Sequence, residues 1–290
     1  MLPFDDREGD IWFDGRLTPW REARIHVLSH GLHYASCVFE GARAYDGRVF
    51  RCHEHATRLL SSALALGFEI PFTASEIAEA CQGLICRHSL QHAYVRPIAW
   101  RGSEDMGVSG PHAKVHVAIA AWNWPSVFEG EAKTLGIRLR VSRWRRPAPD
   151  TAPTRAKAAG LYMICTLSRR EAEQAGADDA LMLDHQGLVA EATGANLFFV
   201  ARGELHTPTP TCFLDGITRQ TVMALAKAAG IPVHERQVTL AELCQADEVF
   251  LTGTAYEVQP VRQIDDHHFK PGPVTRLLMD AYSAEVRRPG

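Results

Sequence analysis

The sequence predicts an α+β fold in two domains, and three observations carry that prediction. Strand-like and helix-like apolar patterns are mixed along the whole chain without settling into regular βαβ alternation. The length, 290 residues, suits one large domain or two ordinary ones, each able to bury a core. The stretch that follows Trp124-Pro125 and runs through Gly130 and Glu131 reads as a connection over 125–135, between a smaller N-terminal domain, 1–124, and a larger C-terminal one, 136–290.

Taken in order, 11–17 reads as a hairpin about an Asp14-Gly15 turn. Residues 38–45 read as one strand that stops at Asp46-Gly47. Over 53–66 the apolar residues Ala56, Leu59, Leu60, Ala63 and Leu64 recur at helical spacing, and Gly67 is placed to end that helix. Thr73 followed by Glu76 is a capping-box pattern, in which side chain and backbone satisfy each other's donors at a helix start. Residues 94–100 and 114–122 read as strands, and in the first Tyr94 and Arg96 stand two apart on one face. A further strand covers 137–144. The C-terminal half mixes strands at 180–183, 197–200 and 249–252 with helices at 162–175, 219–229 and 273–286. Pro273 suits a first helical position, where its missing N–H has no partner to lose. The tight turn over 183–188 delivers Glu191 at the far end of a hairpin, and Thr239 with Glu242 caps a short helix.

Bulk properties exclude several function classes. Hydrophobic residues make up 46% and charged residues 22%, a soluble globular composition. A formal net charge of -3 gives no electrostatic footprint for nucleic acid or an anionic membrane. The one basic cluster, Arg143-Trp144-Arg145-Arg146, reads as a solvated strand end or an interface. Seven scattered cysteines without a CxxC pair argue for a reducing compartment and against disulfides or a zinc site. There is no secretory pattern at the N-terminus and no apolar run long enough for a membrane span, so the expected address is the cytoplasm.

The candidate chemistry centres on Lys157. It lies among small apolar residues in Thr154-Arg155-Ala156-Lys157-Ala158-Ala159-Gly160-Leu161-Tyr162, after Pro147, Pro149 and Pro153 and just before a helix-like run. Desolvation disfavours an ammonium, and a neutral amine condenses with carbonyls, so Lys157 is a candidate anchor for a carbonyl-bearing cofactor. Three more segments follow, each at an expected strand or helix end: Glu191 to Phe198, Gly216-Ile217-Thr218-Arg219, and Gly253-Thr254-Ala255. Ala156-Lys157-Ala158 with Tyr162, Glu191 with Gly194 and Asn196-Leu197-Phe198, and Gly216-Ile217-Thr218-Arg219 together resemble the class IV pyridoxal-phosphate aminotransferases, most of all the branched-chain amino acid aminotransferases. The resemblance runs from Phe13-Asp14-Gly15 to Pro260-Val261 and the last helix, with several motifs in register.

That resemblance implies a fold-type-IV, D-amino acid aminotransferase-like architecture and pyridoxal 5′-phosphate as cofactor. Lys157 would be its anchor and the general base, Glu191 the acid at its ring nitrogen, and Tyr162 the partner of its phenolic oxygen. Gly194 and Asn196 belong to the same cofactor motif. The phosphate would meet Gly216, Ile217 and Thr218 at a helix start, with Thr254 and the charged Arg58 beside them. A pocket that takes an apolar side chain and, in the other half-reaction, glutamate needs apolar walls with a cation at their edge. Tyr34, Phe39, Met106, Val108 and Trp124 align with pocket residues, Arg96 with the arginine for the distal carboxylate, and Tyr94 with the Thr254-Ala255 backbone would hold the α-carboxylate. The implied activity is ping-pong transamination of leucine, isoleucine and valine with 2-oxoglutarate. The implied partners are small molecules and a second copy of the chain, as a homodimer or higher assembly.

Two positions depart from the family pattern: Leu161, where branched-chain enzymes usually carry asparagine, and Val127, where a pocket tyrosine is often found. Neither touches the cofactor chemistry, and a missing ring opens the pocket to larger or aromatic side chains. The same scaffold also serves D-amino acid and (R)-amine aminotransferases and aminodeoxychorismate lyases. A catalytically silent cofactor carrier would lack the base or the acid, and both Lys157 and Glu191 are present. His26, His30 and His33, the pair His53 and His55, and the neighbours His267 and His268 have spacings that could hold a metal, but no cysteine or carboxylate pattern accompanies them and no metal is expected.

Overall fold

In a computed structural model, which describes residues 3–124, 128 and 130–288, the chain divides into two units, Met1–Pro125 with Ala156–Gly160, and Ser126–Arg155 with Leu161–Gly290. The division differs from the expected one at two places: the second unit begins at Ser126, so that it takes in most of the stretch read as a connection over 125–135, and Ala156–Gly160 belongs to the first unit. Backbone bonding explains the second. The Phe39 N–H donates to the Lys157 carbonyl at 3.1 Å, the Lys157 N–H donates to Ser62 Oγ at 3.0 Å, and Ala158 makes an antiparallel bridge to Val38.

In the first unit β1 (Asp10–Phe13) and β2 (Arg16–Pro19) form the expected hairpin, with φ of 47° at Asp14 and 86° at Gly15. Positive φ at both turn positions is what Asp-Gly supplies at low steric cost. A short helix, α1 (His30–Tyr34), follows. Two strands, β3 (Cys37–Phe39) and β4 (Ala42–Tyr45), replace the single strand expected over 38–45. The break falls at Glu40-Gly41, where the Glu40 carboxylate is drawn to Arg58 and Gly41 passes so close to Tyr94 that any Cβ would overlap its hydroxyl.

The unit is completed by β5 (Arg48–Val49), α2 (Cys52–Ala65), α3 (Ala74–Arg87), β6 (Ala93–Arg101) and β7 (Val115–Asn123). The Thr73 capping box forms, with the Glu76 N–H donating to Thr73 Oγ1 at 3.2 Å and the Thr73 N–H to Glu76 Oε2 at 2.7 Å. The strands form one sheet in the order β2-β1-β7-β6-β4-β5, with β3 also paired to β6. Val95, Ala99, Val117 and Ile119 face the core with Leu59, Ile77 and Leu84 of the two helices. Alternation along β6 therefore turns Tyr94, Arg96 and Ile98 to the opposite face.

The second unit runs α4 (Glu131–Thr134), β8 (Ile137–Arg146), α5 (Tyr162–Gln174), β9 (Asp179–Asp184), β10 (Val189–Ala192), β11 (Asn196–Ala201), β12 (Glu204–Pro208), α6 (Ile217–Ala228), β13 (Val233–Arg236), α7 (Leu240–Leu243), β14 (Glu248–Gly253), β15 (Glu257–Ile264), β16 (His267–His268) and α8 (Pro273–Glu285). Its sheet follows the order β10-β9-β8-β15-β14-β11 and closes on itself, because β10 also pairs with β11. Ile137, Leu139, Leu181, Leu197, Leu251 and Val261 pack together as its core. The closing pair is Glu191 opposite Asn196.

A bulge decides which way Glu191 points. The β9–β10 register shifts between Val189 and Glu191, so that Val189 and Ala192, three residues apart, both join the core. Without the extra residue Glu191 would take the place of Ala192 on the apolar side. Among the described residues no helix is long and apolar enough to cross a membrane.

Candidate active site

The first unit gathers one set of the expected residues around a single ring, Phe39. Lys157 is half-buried between the buried Ala156 and Ala158, and its Nζ lies 5.0 Å from the Phe39 centroid. The Arg96 guanidinium lies over the same ring at 4.8 Å and over Tyr94 at 5.1 Å, with Nη2 3.4 Å from the Tyr94 hydroxyl. Its Nε is buried without a hydrogen-bond partner. A buried guanidinium N–H left unpaired costs free energy until an acceptor arrives, so Arg96 fits an anionic ligand. Tyr94 in turn packs on Trp122 and Trp124, with ring centroids 5.4 Å away in each case.

Arg58 is held by a partner the sequence did not reveal. Glu40, fully buried, accepts from Arg58 Nε at 2.6 Å and Nη2 at 2.9 Å, and its Oε2 lies 2.7 Å from His55 Nδ1. Burial alone would raise the Glu40 pKa, but Arg58 and His55 outweigh it and hold the carboxyl well below its ordinary range. A bidentate pair fixes the plane in which the guanidinium can meet an anion.

Tyr34, Met106 and Val108 form a group of their own. The Tyr34 hydroxyl donates to the Met106 carbonyl at 3.4 Å, while Tyr34 is 43% and Val108 77% exposed. A cavity of about 370 Å³ in this unit is walled by Phe13, Ile25, Leu32, Ile98 and Trp100. Of the expected substrate residues only Arg96 lines it. Val127 lies outside the described residues.

The second unit assembles the acid and a cradle of backbone donors. Asn196 organises both: its Nδ2 donates to Glu191 Oε2 at 3.2 Å and to the Leu214 carbonyl at 2.9 Å, and its Oδ1 accepts the Gly216 N–H at 3.2 Å. A Cβ on Gly216 would overlap Asn196 Oδ1, so only glycine lets the chain pass here. The helix expected from 219 starts two residues earlier, at Ile217, with no side-chain cap and no acidic residue in its first turn. Its leading N–H groups thus have no intrahelical acceptor and suit an anion, with those of the buried Ile217 and Thr218 among them. Arg219 serves the fold: it is 1% exposed and donates to Thr207, Asp215, Pro208 and Glu235.

Tyr162 opens α5, and Leu161 is the residue before it. Thr254 and Ala255 form the turn after β14, and Gly194 is exposed at the tip of the β10–β11 turn. The two turns run side by side, since a Cβ on Gly253 would meet the Gly194 carbonyl at 3.1 Å. Asn196 also stands opposite Thr252, so Glu191, Asn196 and Thr252 share one face of the sheet. The Thr252 hydroxyl is buried without a partner. A buried carboxylate, an uncapped helix start and an orphaned hydroxyl fit a cofactor that carries a phosphate and a ring nitrogen.

The basic cluster reads differently in the structure. Arg143 and Arg145 are solvated as expected, but Arg146 is 4% exposed, with its Nε 3.5 Å from Glu191 Oε1 and 3.3 Å from the Cys212 carbonyl it donates to. Burial pulls the Arg146 pKa down, and the charge of Glu191, joined by Cys165 and Tyr162, more than restores it. A buried network behind the Glu191 turn also had no signal in the sequence. Asp179 accepts from the Tyr256 hydroxyl at 2.7 Å and from Thr193 Oγ1 at 2.5 Å, and Arg169 donates to the Tyr256 hydroxyl at 2.9 Å. Burial first, and then the Asp179 charge, push the Tyr256 pKa far up, so the phenol stays a donor.

Comparison with known proteins agrees with this geometry. The chain is 44% identical over 284 residues to the branched-chain-amino-acid aminotransferase of Pseudomonas aeruginosa, covering 96% of this chain and 92% of that one. It is 42% identical over 281 residues to that of Escherichia coli K12, covering 94% and 91%. Among solved structures, a T.th. branched-chain amino acid aminotransferase with pyridoxamine 5′-phosphate matches at a TM-score of 0.94 and 41% identity, over 98% of this chain and 96% of that one. The E. coli enzyme matches at a TM-score of 0.93 and 40% identity, over 96% and 94%. The fold is therefore the expected two-domain, fold-type-IV arrangement. The family model for class IV amino-transferases matches residues 37–264, a span that holds Arg58, Lys157, Glu191, Thr218 and Thr254, and the chain belongs to the class IV aminotransferases.

Proposed function

We propose that the chain is a pyridoxal 5′-phosphate-dependent aminotransferase that takes the amino group from branched-chain L-amino acids and passes it to 2-oxoglutarate, giving branched 2-oxo acids and L-glutamate. The observation that carries this reading is the grouping of Lys157, Phe39 and Arg96, in which an amine, an apolar ring and an unsatisfied guanidinium N–H share one small space. The named relatives support it.

When bound, the cofactor supplies an electron sink for the bond broken at Cα. Lys157 takes the Cα proton and returns it, and its backbone bonds to Phe39 and Ser62 keep its side chain on station. Glu191, fixed by Asn196 and Arg146, holds a proton at the ring nitrogen. Tyr162 meets the phenolic oxygen, and Gly216, Ile217 and Thr218 with Arg58 and Thr254 meet the phosphate. Phe39 and Tyr94 face the branched side chain, and Arg96 the distal carboxylate of glutamate. Tyr94 with the Thr254-Ala255 turn receives the α-carboxylate.

The reading includes a homodimer or higher assembly in the cytoplasm. The exposed Val27, Leu32, Tyr34 and Val108 are apolar surface for a second copy to cover. The test is spectral. The purified yellow protein should be bleached by L-leucine and not by D-alanine or (R)-1-phenylethylamine. Lys157→Ala should lose all turnover and keep its fold. Bleaching by the D-acid or the amine would overturn the donor assignment, and normal turnover of the variant would overturn the mechanism.

A further inference from the structure

Three potential metal ligands meet on the second unit at a place the aminotransferase reading does not use. Asp184 is buried at the end of β9, His185 is exposed in the turn that follows, and Cys212 is 2% exposed in the loop before α6. One ligand atom from each lies within 4.8 Å of the others. The Cys212 sulfur is 3.5 Å from His185 Nδ1. A tetrahedral zinc with sulfur at about 2.3 Å and nitrogen at about 2.0–2.1 Å puts those two atoms roughly 3.5 Å apart. We propose that Asp184, His185 and Cys212 form a binding site for a thiophilic divalent cation, best suited to zinc.

The surroundings are those of a built site. Asp184 Oδ1 accepts the Gln186 and Leu188 N–H groups at 2.9 Å each, which fixes the carboxylate and leaves it a second oxygen for a cation. The Cys212 carbonyl accepts from Arg146, and the Thr211 hydroxyl donates to the Cys212 sulfur at 3.6 Å, so both ends of the residue are held in place. A cavity of about 250 Å³, lined by all three ligands with Thr209, Thr211 and Gln237, gives water room at the fourth position. Binding needs no redox partner. The Cys212 thiol proton passes to solvent as the sulfur–metal bond forms, and water leaves the cation's shell. The cation would tie the turn after β9 to the loop that leads to Leu214 and Gly216, and so brace the α6 cradle. A sequence search for paired cysteines misses such a site, because His185 and Cys212 stand 27 residues apart.

The test is calorimetric titration of the purified protein, cofactor bound, with zinc chloride in two buffers of different ionisation enthalpy. The expected result is one zinc per chain with about one proton released and a rise in the thermal midpoint. Cys212→Ser and His185→Ala should each weaken binding by at least about 100-fold, beyond what outer-shell changes bring. Cys244→Ser should bind as the parent does. His185 is exposed, so its variant keeps the fold even if the cysteine variant does not. Absence of saturable binding, or equal binding by the parent and His185→Ala, would overturn the site.

Discussion

The two units hold the residues of the proposed chemistry by different means. In the first, Arg58 and Arg96 are cations placed by side-chain contacts: an ion pair to Glu40 for one, the faces of Phe39 and Tyr94 for the other. In the second, the backbone sets which way Glu191 and the α6 start face, through a bulge, a closing register pair and an uncapped helix, and the Asn196 and Arg146 side chains only then meet the carboxylate. A contact made by one side chain is lost with one substitution, whereas a closed sheet spreads the same task over many hydrogen bonds. The contrast therefore predicts where single substitutions do most damage.

The largest expected effect on stability is at Glu40. Glu40→Ala leaves Arg58 and His55 with a buried, uncompensated face, at a cost of about 3–5 kcal/mol. Urea unfolding should show this, with faster hydrogen exchange concentrated in α2 and β3. The deficit depends on pH with a definite sign. The folded Glu40 carboxyl titrates below its ordinary value of 4.5, so its stabilisation is complete above that pH and fades as pH falls through the lowered folded value. The gap between parent and variant should narrow as pH falls below about 4.5. A constant gap down to pH 3 would mean that charge pairing is not what Glu40 contributes.

Next in size is a selective effect at Arg96. Arg96→Leu should raise KM for 2-oxoglutarate by about 10–100-fold, the worth of a charge-assisted bond of roughly 1.5–3 kcal/mol. KM for L-leucine should change little, since the branched side chain carries no charge. Steady-state kinetics of the two half-reactions decides this. Equal losses in both would show that Arg96 supports the pocket wall and not the distal carboxylate.

How much of this was legible in the sequence follows the same division. Features set by neighbours in the chain were readable: the Asp14-Gly15 turn, the Thr73 and Glu76 capping box, and Pro273 at the first position of α8. The motif residues other than Lys157 were assigned through the family resemblance alone, since neither periodicity nor composition marks them. Pairings across long loops were not. Nothing near Arg58 signals that Glu40, 18 residues earlier, will break its own strand to meet it. Strands β12, β13 and β15 carry no clear alternation; β12 and β15 also join the sheet as hairpin partners of β11 and β14, while the pairings of β13 with β12 and of β15 with β8 reach far along the chain. Arg146 looked like part of a solvated cluster because a strand's buried end cannot be told from its exposed end by composition alone.

The smallest expected effect tests the second unit's independence from its side chains. Tyr256→Phe removes the hydroxyl that joins Arg169 to Asp179, but Asp179 keeps Thr193 Oγ1 and the Ala180 N–H on its other oxygen. The cost should be about 1–2 kcal/mol in thermal or urea unfolding. Thr193 stands two residues beyond Glu191, so the network could also act on the acid. If the Glu191–Asn196 register pair and the bulge are what fix the acid, L-leucine turnover should stay near that of the parent. A fall of about tenfold or more, equivalent to ~1.4 kcal/mol of barrier, with stability little changed, would show that Glu191 too is placed by a side-chain network. The contrast between the units would then be one of degree, and the orientation of the acid would have to be traced from Asp179 outward.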